Sequence, residues 1–535
     1  MKSAKTSGLS IALIFLLALS VSAQDLWTHI YEGPGGNFFG EAQVAPFSGG
    51  GFICAARCEG QFCDDKRPVY IWKTDSHGNL LWAKQVMEDS QNLQLIEGNE
   101  GIFFLMTSPV DSPTDIIIKF DGDGNILSQK EYYPTLDYGG VIIRGSNGIL
   151  YGLDQYGLAV RAIDQTTLNV IFNKYYNRIG EGLYSRDIKE AKDGGLYLAG
   201  FSEDCRSAKV IKTNLNGNVI WSRLYGPEVV ETYDTPRIAA TADGGLLLAT
   251  LIDVASTVMD ETCLIRMDKD GNIIWQEELV FSKYPNMTPA VLGGVYECND
   301  GTILVWGLTG CGDPGYCSSP FLASLNSTGE PIWFMGSPGG ISSDWLPVLS
   351  GLFETADGFV LSEEGFGNDP RSGERIFGSI LGKYSYDYSG EFNDCYYPLT
   401  DVLSAEPTYY TFSESEVNER DVGVDIFPSQ VNPTNMEVKD TVGCGEQWPG
   451  IMSVVKKTSP LRLKLTGWNF EKGSSVYVNG VKAGKTTFKG RDDLNRTKLV
   501  VIGSGLKALL PKGQSVCITV KNPDGHESDC FTFTR

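Results

Sequence analysis

The chain has 535 residues, enough for two or three domains, and a formal charge of −22 with only three histidines. That charge argues against nucleic acid and anionic membrane as partners, since both need a basic face. So few histidines (His29, His77, His526) disfavour a histidine-dependent hydrolase or a three-histidine metal site.

Residues 1–23 read as a secretory signal: Lys2 and Lys5, an apolar run from Leu9 to Leu19, and Val21-Ser22-Ala23 as a small-x-small cleavage site. No later stretch is apolar and long enough to cross a bilayer, so the expected location is secreted or cell-surface. The twelve cysteines fit that oxidising setting.

From residue 24 to 397 one pattern recurs. Its clearest copy, Thr241 to Leu279, runs TADGGLLLAT, a variable loop, CLIRMDKDGN, then IIWQEEL. Gly-led apolar strands begin near Gly51, Gly101, Gly148, Gly195, Gly245, Gly301 and Gly358. Each is followed by a strand with a polar close, and a third strand carries an aromatic at Trp82, Phe172, Trp221, Trp275 and Trp333, with Ser128 in the second copy. All-strand repeats of about 40–50 residues are the signature of a β-propeller, here expected to have seven blades. Regular recurrence of the Trp points to packing between blades rather than to a cofactor. The same Trp strand stands alone at Leu26–Tyr31, which predicts that it closes the ring by pairing with the last blade.

In such a repeat the tight turns before the Gly-led strand and before the Trp strand share one face, and the long connections share the other. That loop-rich face, including 57–68, 251–262, 308–319 and 363–378, is the expected functional face. Its acids include Asp64, Asp65, Asp253, Asp260, Glu261, Asp313, Glu363 and Glu364, and its aromatics Phe62, Tyr138 and Phe366. The candidate binding residues are Asp344, Trp345, Tyr316, Tyr284 and Tyr233, where aromatics beside carboxylates suit stacking on a sugar or capture of a peptide. Two carboxylates roughly 5–9 Å apart would serve a glycosidase, a distance sequence does not supply. No Gly-x-Ser-x-Gly, His-Glu-x-x-His or P-loop is present.

No cofactor is expected, with calcium as the alternative. Asp121-Gly-Asp123-Gly-Asn125 and Asp268-Lys-Asp270-Gly-Asn272 imitate the first half of a calcium loop. The twelfth position, however, falls on Tyr132 and Leu279 instead of Glu, so tight-turn chemistry explains them better.

Residues 398–445 are acidic and weakly periodic, and read as a linker or partly ordered extension. Residues 446–535 form a second all-β unit with strand spacing of a sandwich. Cys517 and Cys530 flank its turn Asn522–Gly525 symmetrically and are expected to bridge a hairpin. Cys311 and Cys317 bracket a Gly/Pro loop and are likewise expected to be disulfide cysteines, and Cys54, Cys58 and Cys63 cluster around another loop.

The DGG and D-x-x-G-N-x-x-W motifs, as in Leu215-Asn216-Gly217-Asn218-Val219-Ile220-Trp221, resemble those of bacterial secreted propellers of the quinoprotein-like superfamily. The resemblance spans 25–397 and implies a fold without an activity. The quinoprotein enzymes would imply a quinone with calcium and often adjacent cysteines, which this chain lacks. The segments Leu465–Phe470, Ser475–Gly480 and Ile518–Gly525 resemble an IPT/TIG domain, an immunoglobulin-like module, which implies an extracellular accessory or spacer role. The expected protein is thus a seven-bladed β-propeller followed by an immunoglobulin-like β-sandwich. It is expected to be a non-enzymatic binder of an extracellular glycan or protein, with a carbohydrate-active hydrolase or lyase as the alternative.

Overall fold

The computed structural model describes residues 27–32, 42–48, 50–58, 66–110, 112–133, 141–154, 158–176, 184–201, 208–226, 236–253, 260–281, 287–311, 319–336, 349–355, 358–368 and 375–384. It also describes seven short segments between 397 and 445, and residues 449–458, 461–491 and 497–535. The signal-like residues 1–23 lie outside this set. Among the described residues no helix is long and apolar enough to cross a membrane.

The turn chemistry sets the local geometry. In Asp268–Asn272 the Gly271 amide donates to the Asp268 carbonyl at 3.0 Å, and the Asp268 amide to the Asn272 carbonyl at 2.9 Å. Asp268 Oδ1 accepts the amides of Asp270 and Asn272 at 2.9 and 2.8 Å, while Oδ2 accepts Asn272 Nδ2 at 2.9 Å. Gly271 has φ +80°, a left-handed conformation glycine adopts without strain. The ladder slips nearby, between Arg266 and Met267, which leaves Ile274 as the extra residue. Asp121–Asn125 repeats the same bonds, and Asn214 and Asn326 perform them with an amide oxygen. Burial pushes the Asp121 and Asp268 carboxyls up, but the donated hydrogen bonds outweigh it and hold both below the ordinary range. The oxygens that imitate a calcium loop are therefore engaged within the turn.

Among the described residues these hairpins build seven five-stranded antiparallel sheets. The first contains Gln43–Pro46, Phe52–Arg57, Val69–Thr74 and Leu80–Met87, and the next five follow in chain order. The seventh joins Leu349–Thr355, Gly358–Asn368 and Arg375–Tyr384 to the N-terminal strand Trp27–Glu32, with Trp27 opposite Lys383 and Tyr31 opposite Ser379. The innermost strand of each sheet touches that of the next, and Leu349–Thr355 returns to Gln43–Pro46. The sheets thus form a closed ring, consistent with a propeller, and the solitary Trp strand closes it.

The core lies between neighbouring sheets. Leu247 and Leu264 of the fifth pack with Val305 and Phe321 of the sixth, and Leu153 and Val160 of the third with Leu196 and Ile211 of the fourth. Polar staples join the sheets at the tight-turn end. Four residues after the aromatic position, buried Tyr132, Tyr176 and Tyr225 donate to the carbonyls of Leu168, Gly217 and Gly271 in the following sheet's turn at 2.8, 2.8 and 2.7 Å. Tyr31 of the closing strand makes the same bond to the Gly78 carbonyl. Two residues after the aromatic, Lys130, Lys174 and Arg223 donate to Asn169, Asn218 and Asn272 of those turns. The Trp rings pack on the turn glycines: a Cβ on Gly271 would lie 3.1 Å from Trp221, and one on Gly124 2.8 Å from Trp82. Nearer the axis, Glu190, Glu297 and Glu354 accept the amides of Ser146, Ala242 and Asn299 in the preceding sheet's turn.

Residues 398–445 differ from the linker or extension expected of them. Tyr397–Pro398, Leu403–Pro407, Thr411–Glu414, Arg420–Asp421, Asp425–Pro428, Thr434–Asn435 and Lys439–Gly445 each add a fifth, outermost strand, visiting the sheets from the sixth back to the first and ending on the seventh. The last pairs with Trp27–Glu32, so the N-terminal strand lies between two neighbours. Strands of 2–7 residues are too short to display an alternating pattern, and ladder pairing by backbone groups leaves little trace in side-chain choice.

The C-terminal unit holds two four-stranded sheets. One orders Gly450–Thr458, Leu461–Trp468, Thr497–Ile502 and Lys485–Arg491. The other orders Val481–Lys482, Ser475–Val478, Ser515–Lys521 and Phe531–Thr534. Leu463, Leu465, Leu499, Val501, Val476 and Ile518 fill the space between them.

Candidate functional site

The five candidate binding residues Asp344, Trp345, Tyr316, Tyr284 and Tyr233 lie outside the described residues, as do Asp64, Asp65, Asp313, Phe62 and Tyr138. At that end of the ring the strands continue further than expected. Leu246–Asp253 pairs with Asp260–Met267, and Gly358–Asn368 with Arg375–Tyr384, because hairpin pairing carries on through much of 251–262 and 363–378. The register sets Asp253 opposite Asp260 and Phe366 opposite Phe377. Cys311 ends the strand Ile303–Cys311, and Cys317 lies outside the described residues. Cys58 is disulfide-bonded. Cys54, placed with it by sequence, is a buried free thiol whose pKa burial pushes up. It sits inside Phe52–Arg57 in an apolar core that also contains Cys58, its thiol left free.

Cys517 and Cys530 are joined, with a Cα–Cα distance of 5.3 Å. The ladder partner of Cys517 is Thr532, so residues 528–530 leave the ladder. That departure brings Asp529 against the first sheet's turn, Asp75-Ser76-His77-Gly78-Asn79. Asp529 Oδ2 accepts Ser76 N at 3.2 Å and Ser76 Oγ at 2.6 Å, and lies 3.7 Å from His77 Nδ1. Beside it Trp468, buried in the first sheet's core with Tyr31 and Trp72, donates its indole N–H to the Leu80 carbonyl at 2.7 Å. Gly450 leaves no room for a side chain, since its Cβ would lie 2.5 Å from Asn79 Nδ2. The C-terminal unit therefore docks on the tight-turn end instead of hanging free.

Asp75, His77 and Asp529 bring ligand atoms within 4.8 Å of one another, a spacing able to hold a cation. Asp75 nonetheless performs the turn's usual work, accepting the amides of His77 and Asn79 at 2.9 Å each and Asn79 Nδ2 on both oxygens. Burial under the docked unit raises its pKa to about 6, against the lowering effect of His77 and with Asp529 adding to the rise. A cleft of about 320 Å³ opens beside this clasp, walled by Trp82, Met452 and Phe531 and edged by Lys73, Asp123 and Asp529. Lys73 Nζ sits 3.5 Å over the Phe47 ring, and burial lowers its pKa against the pull of Asp123 and Asp121. Sequence reasoning missed the junction. The one local signal is that His77 stands where other turns carry small polar residues, and its partner is 452 residues away.

No family model and no curated protein matches this chain. Solved structures similar in fold include a Bacteroides caccae protein of unknown function, at 13% identity and TM-score 0.34, covering 59% of this chain and 97% of that one. Prolyl oligopeptidase B of Galerina marginata matches at 9% identity and TM-score 0.37, over 81% of this chain and 56% of its own. Drosophila Semaphorin 1b, extracellular domains 1–2, matches at 8% and 0.31, over 82% and 90%. They include propeller-type folds, and at these scores they transfer nothing about activity.

Proposed function

We propose that this chain is an exported, non-enzymatic binding protein: a seven-bladed β-propeller with an immunoglobulin-like, IPT/TIG-type module, presenting a glycan- or protein-binding surface at its loop-rich end. The observation that carries this reading is the division of labour between the two ends. At the tight-turn end the staple-bearing tyrosines, lysines and glutamates bond to a neighbouring sheet, and the C-terminal unit covers part of what is left. The opposite connections are the ones left for recognition, and they hold Asp344, Trp345, Tyr316, Tyr284 and Tyr233. The seven outermost strands between Tyr397 and Gly445, a belt around the ring, bear on a third reading as well, in which a propeller captures client strands by edge pairing. Each of the seven sheets has its fourth strand partly covered by a short added strand, which becomes the outer edge and occupies the place a client strand would take. The Cys517–Cys530 disulfide is compatible with export.

A glycan array on the mature protein tests the reading. Saturable binding to one class, lost in Trp345→Ala and kept in Trp468→Phe, is the expected result. Silence on the array together with no protein captured by the loop end would overturn it. The alternative, a hydrolase or lyase, draws support from the register that puts Asp253 opposite Asp260 at the loop end. It predicts release of shortened sugars from the bound class, abolished by Asp260→Asn.

A further inference from the structure

The whole-chain charge conceals a division. Residues 450–535 hold 15 Lys and Arg against 6 Asp and Glu, a net +9, so within the total of −22 residues 1–449 carry −31. In the module this positive charge is concentrated on one sheet. The strands Gly450–Thr458, Leu461–Trp468, Lys485–Arg491 and Thr497–Ile502 contain eight Lys and Arg and no acidic residue. Alternation divides them between two faces: Leu463, Leu465, Leu499 and Val501 point into the core, while Lys464, Lys498, Lys485, Lys489 and Lys457 are exposed. The register spreads these cations over one face, with one directly opposed pair. Lys457 stands opposite Arg462, Arg462 opposite Ile502, and Ile502 opposite Lys485; Lys464 lies between Val455 and Val500, and Lys498 opposite Thr466. The module docks on the ring through Trp468, Gly450 and Asp529, which leaves this face open to solvent.

We infer that the outer face of this sheet binds an acidic polysaccharide, with its uronate or sulfate groups lying across the lysine rows. Lys457 and Arg462 on neighbouring strands stand about 5 Å apart and Arg462 and Lys464 along one strand about 7 Å apart, with the other cations one strand or one row further off, a spread of charge suited to a repeating polyanion. The composition selects among polyanions and partners. Protein interfaces are depleted in Lys, whereas here Lys dominates. Single-stranded nucleic acid is held by stacking on exposed aromatics, and the exposed alternate positions of these strands carry Lys, Val, Thr and Ile instead. Membrane anchoring would call for aromatic or long apolar side chains around the cations, where Val455 and Ile502 are the exposed large apolar residues of these strands. The site is separate from the loop end, so it stands or falls independently of the glycan reading proposed there.

The experiment is binding of the full mature chain to polygalacturonate, with neutral dextran, a single-stranded oligonucleotide and phosphatidylserine vesicles alongside. Polygalacturonate is expected to bind best, with affinity falling roughly tenfold between 50 and 200 mM salt as two or so counterion equivalents are released. Lys464→Glu with Lys498→Glu should abolish that binding at unchanged melting temperature. Lys464→Arg with Lys498→Arg should retain it, as should Trp345→Ala. Equal binding by the charge-reversed protein, equal binding to dextran, tighter binding to the oligonucleotide or the vesicles, or salt-sensitive self-association in place of polysaccharide binding would each overturn the inference.

Discussion

Trp468 belongs to the C-terminal unit by sequence and to the first sheet's core by packing, which makes it the perturbation that separates docking from folding. Its ring is 3% exposed and shares a cluster with Tyr31, Trp72 and Leu80, and its N–H bonds the Leu80 carbonyl at 2.7 Å. Truncation to Ala removes a buried Trp, a change that costs about 3–5 kcal/mol in protein cores. Here that cost falls on the junction, because the module's own core of Leu463, Leu465 and Ile518 is a separate cluster. Trp468→Phe keeps most of the area and strands the carbonyl, at about 1–2 kcal/mol. Small-angle scattering should therefore show Trp468→Ala expanded and Trp468→Phe compact. Calorimetry should show the module's transition split from the ring's only in the Ala variant. An unchanged radius of gyration with a single unchanged transition in Trp468→Ala would refute the argument that this side chain holds the units together.

Asp75, with its folded pKa raised to about 6 by burial, binds its proton more tightly folded than unfolded. Its stabilising contribution is complete below about pH 4, its ordinary titration range, and is lost as pH rises through 6. Asp75→Asn should flatten that slope in thermal melts between pH 4 and 7 while preserving the turn, since Asn214 and Asn326 perform the same bonding elsewhere. Tyr225→Phe should cost about 1–2 kcal/mol in denaturant unfolding, as it leaves the Gly271 carbonyl without its buried donor. Glu277 occupies the position held by Lys130, Lys174 and Arg223 in other sheets, and burial and Glu330 together raise its pKa. Glu277→Lys should stabilise by about 0.2–1 kcal/mol, more at low salt, and a loss of stability would count against the staple as a transferable device.

What could be read from the sequence was local. The Asp-x-x-Gly-Asn turns are legible because five consecutive residues supply both the acceptor and the left-handed glycine. The closing strand is legible because Trp27 and Tyr31 repeat the spacing of Trp221 and Tyr225. The Cys517–Cys530 bridge spans 13 residues and a recognisable turn. What escaped depends on distant partners or on short pairing. The belt strands carry no period, and Trp468 meets Leu80 across 388 residues with nothing in its own neighbourhood to announce it. Likewise the basic face is masked by the acid of the ring, and it becomes visible only once the strands assign each lysine a side.

The belt also fixes an order of assembly. Its first strand pairs Tyr397 with Gly336, 61 residues back, while its last pairs Gly445 with Trp27, 418 residues back. Each successive segment must find a partner synthesised earlier than the one before. The sequence separation to be closed therefore mounts along the belt, and the final contact joins the N-terminal strand to residues that follow all seven sheets in the chain. A nascent ring with a missing or misfolded sheet would leave the wrap unfinished and the N-terminal strand held on one side only. In reverse, opening the ring there requires breaking the pairing of Trp27–Glu32 with Arg375–Tyr384. The wrap is thus a record of completion written into the chain: its last strand gives the N-terminal strand a second neighbour only once residues that follow all seven sheets have been made.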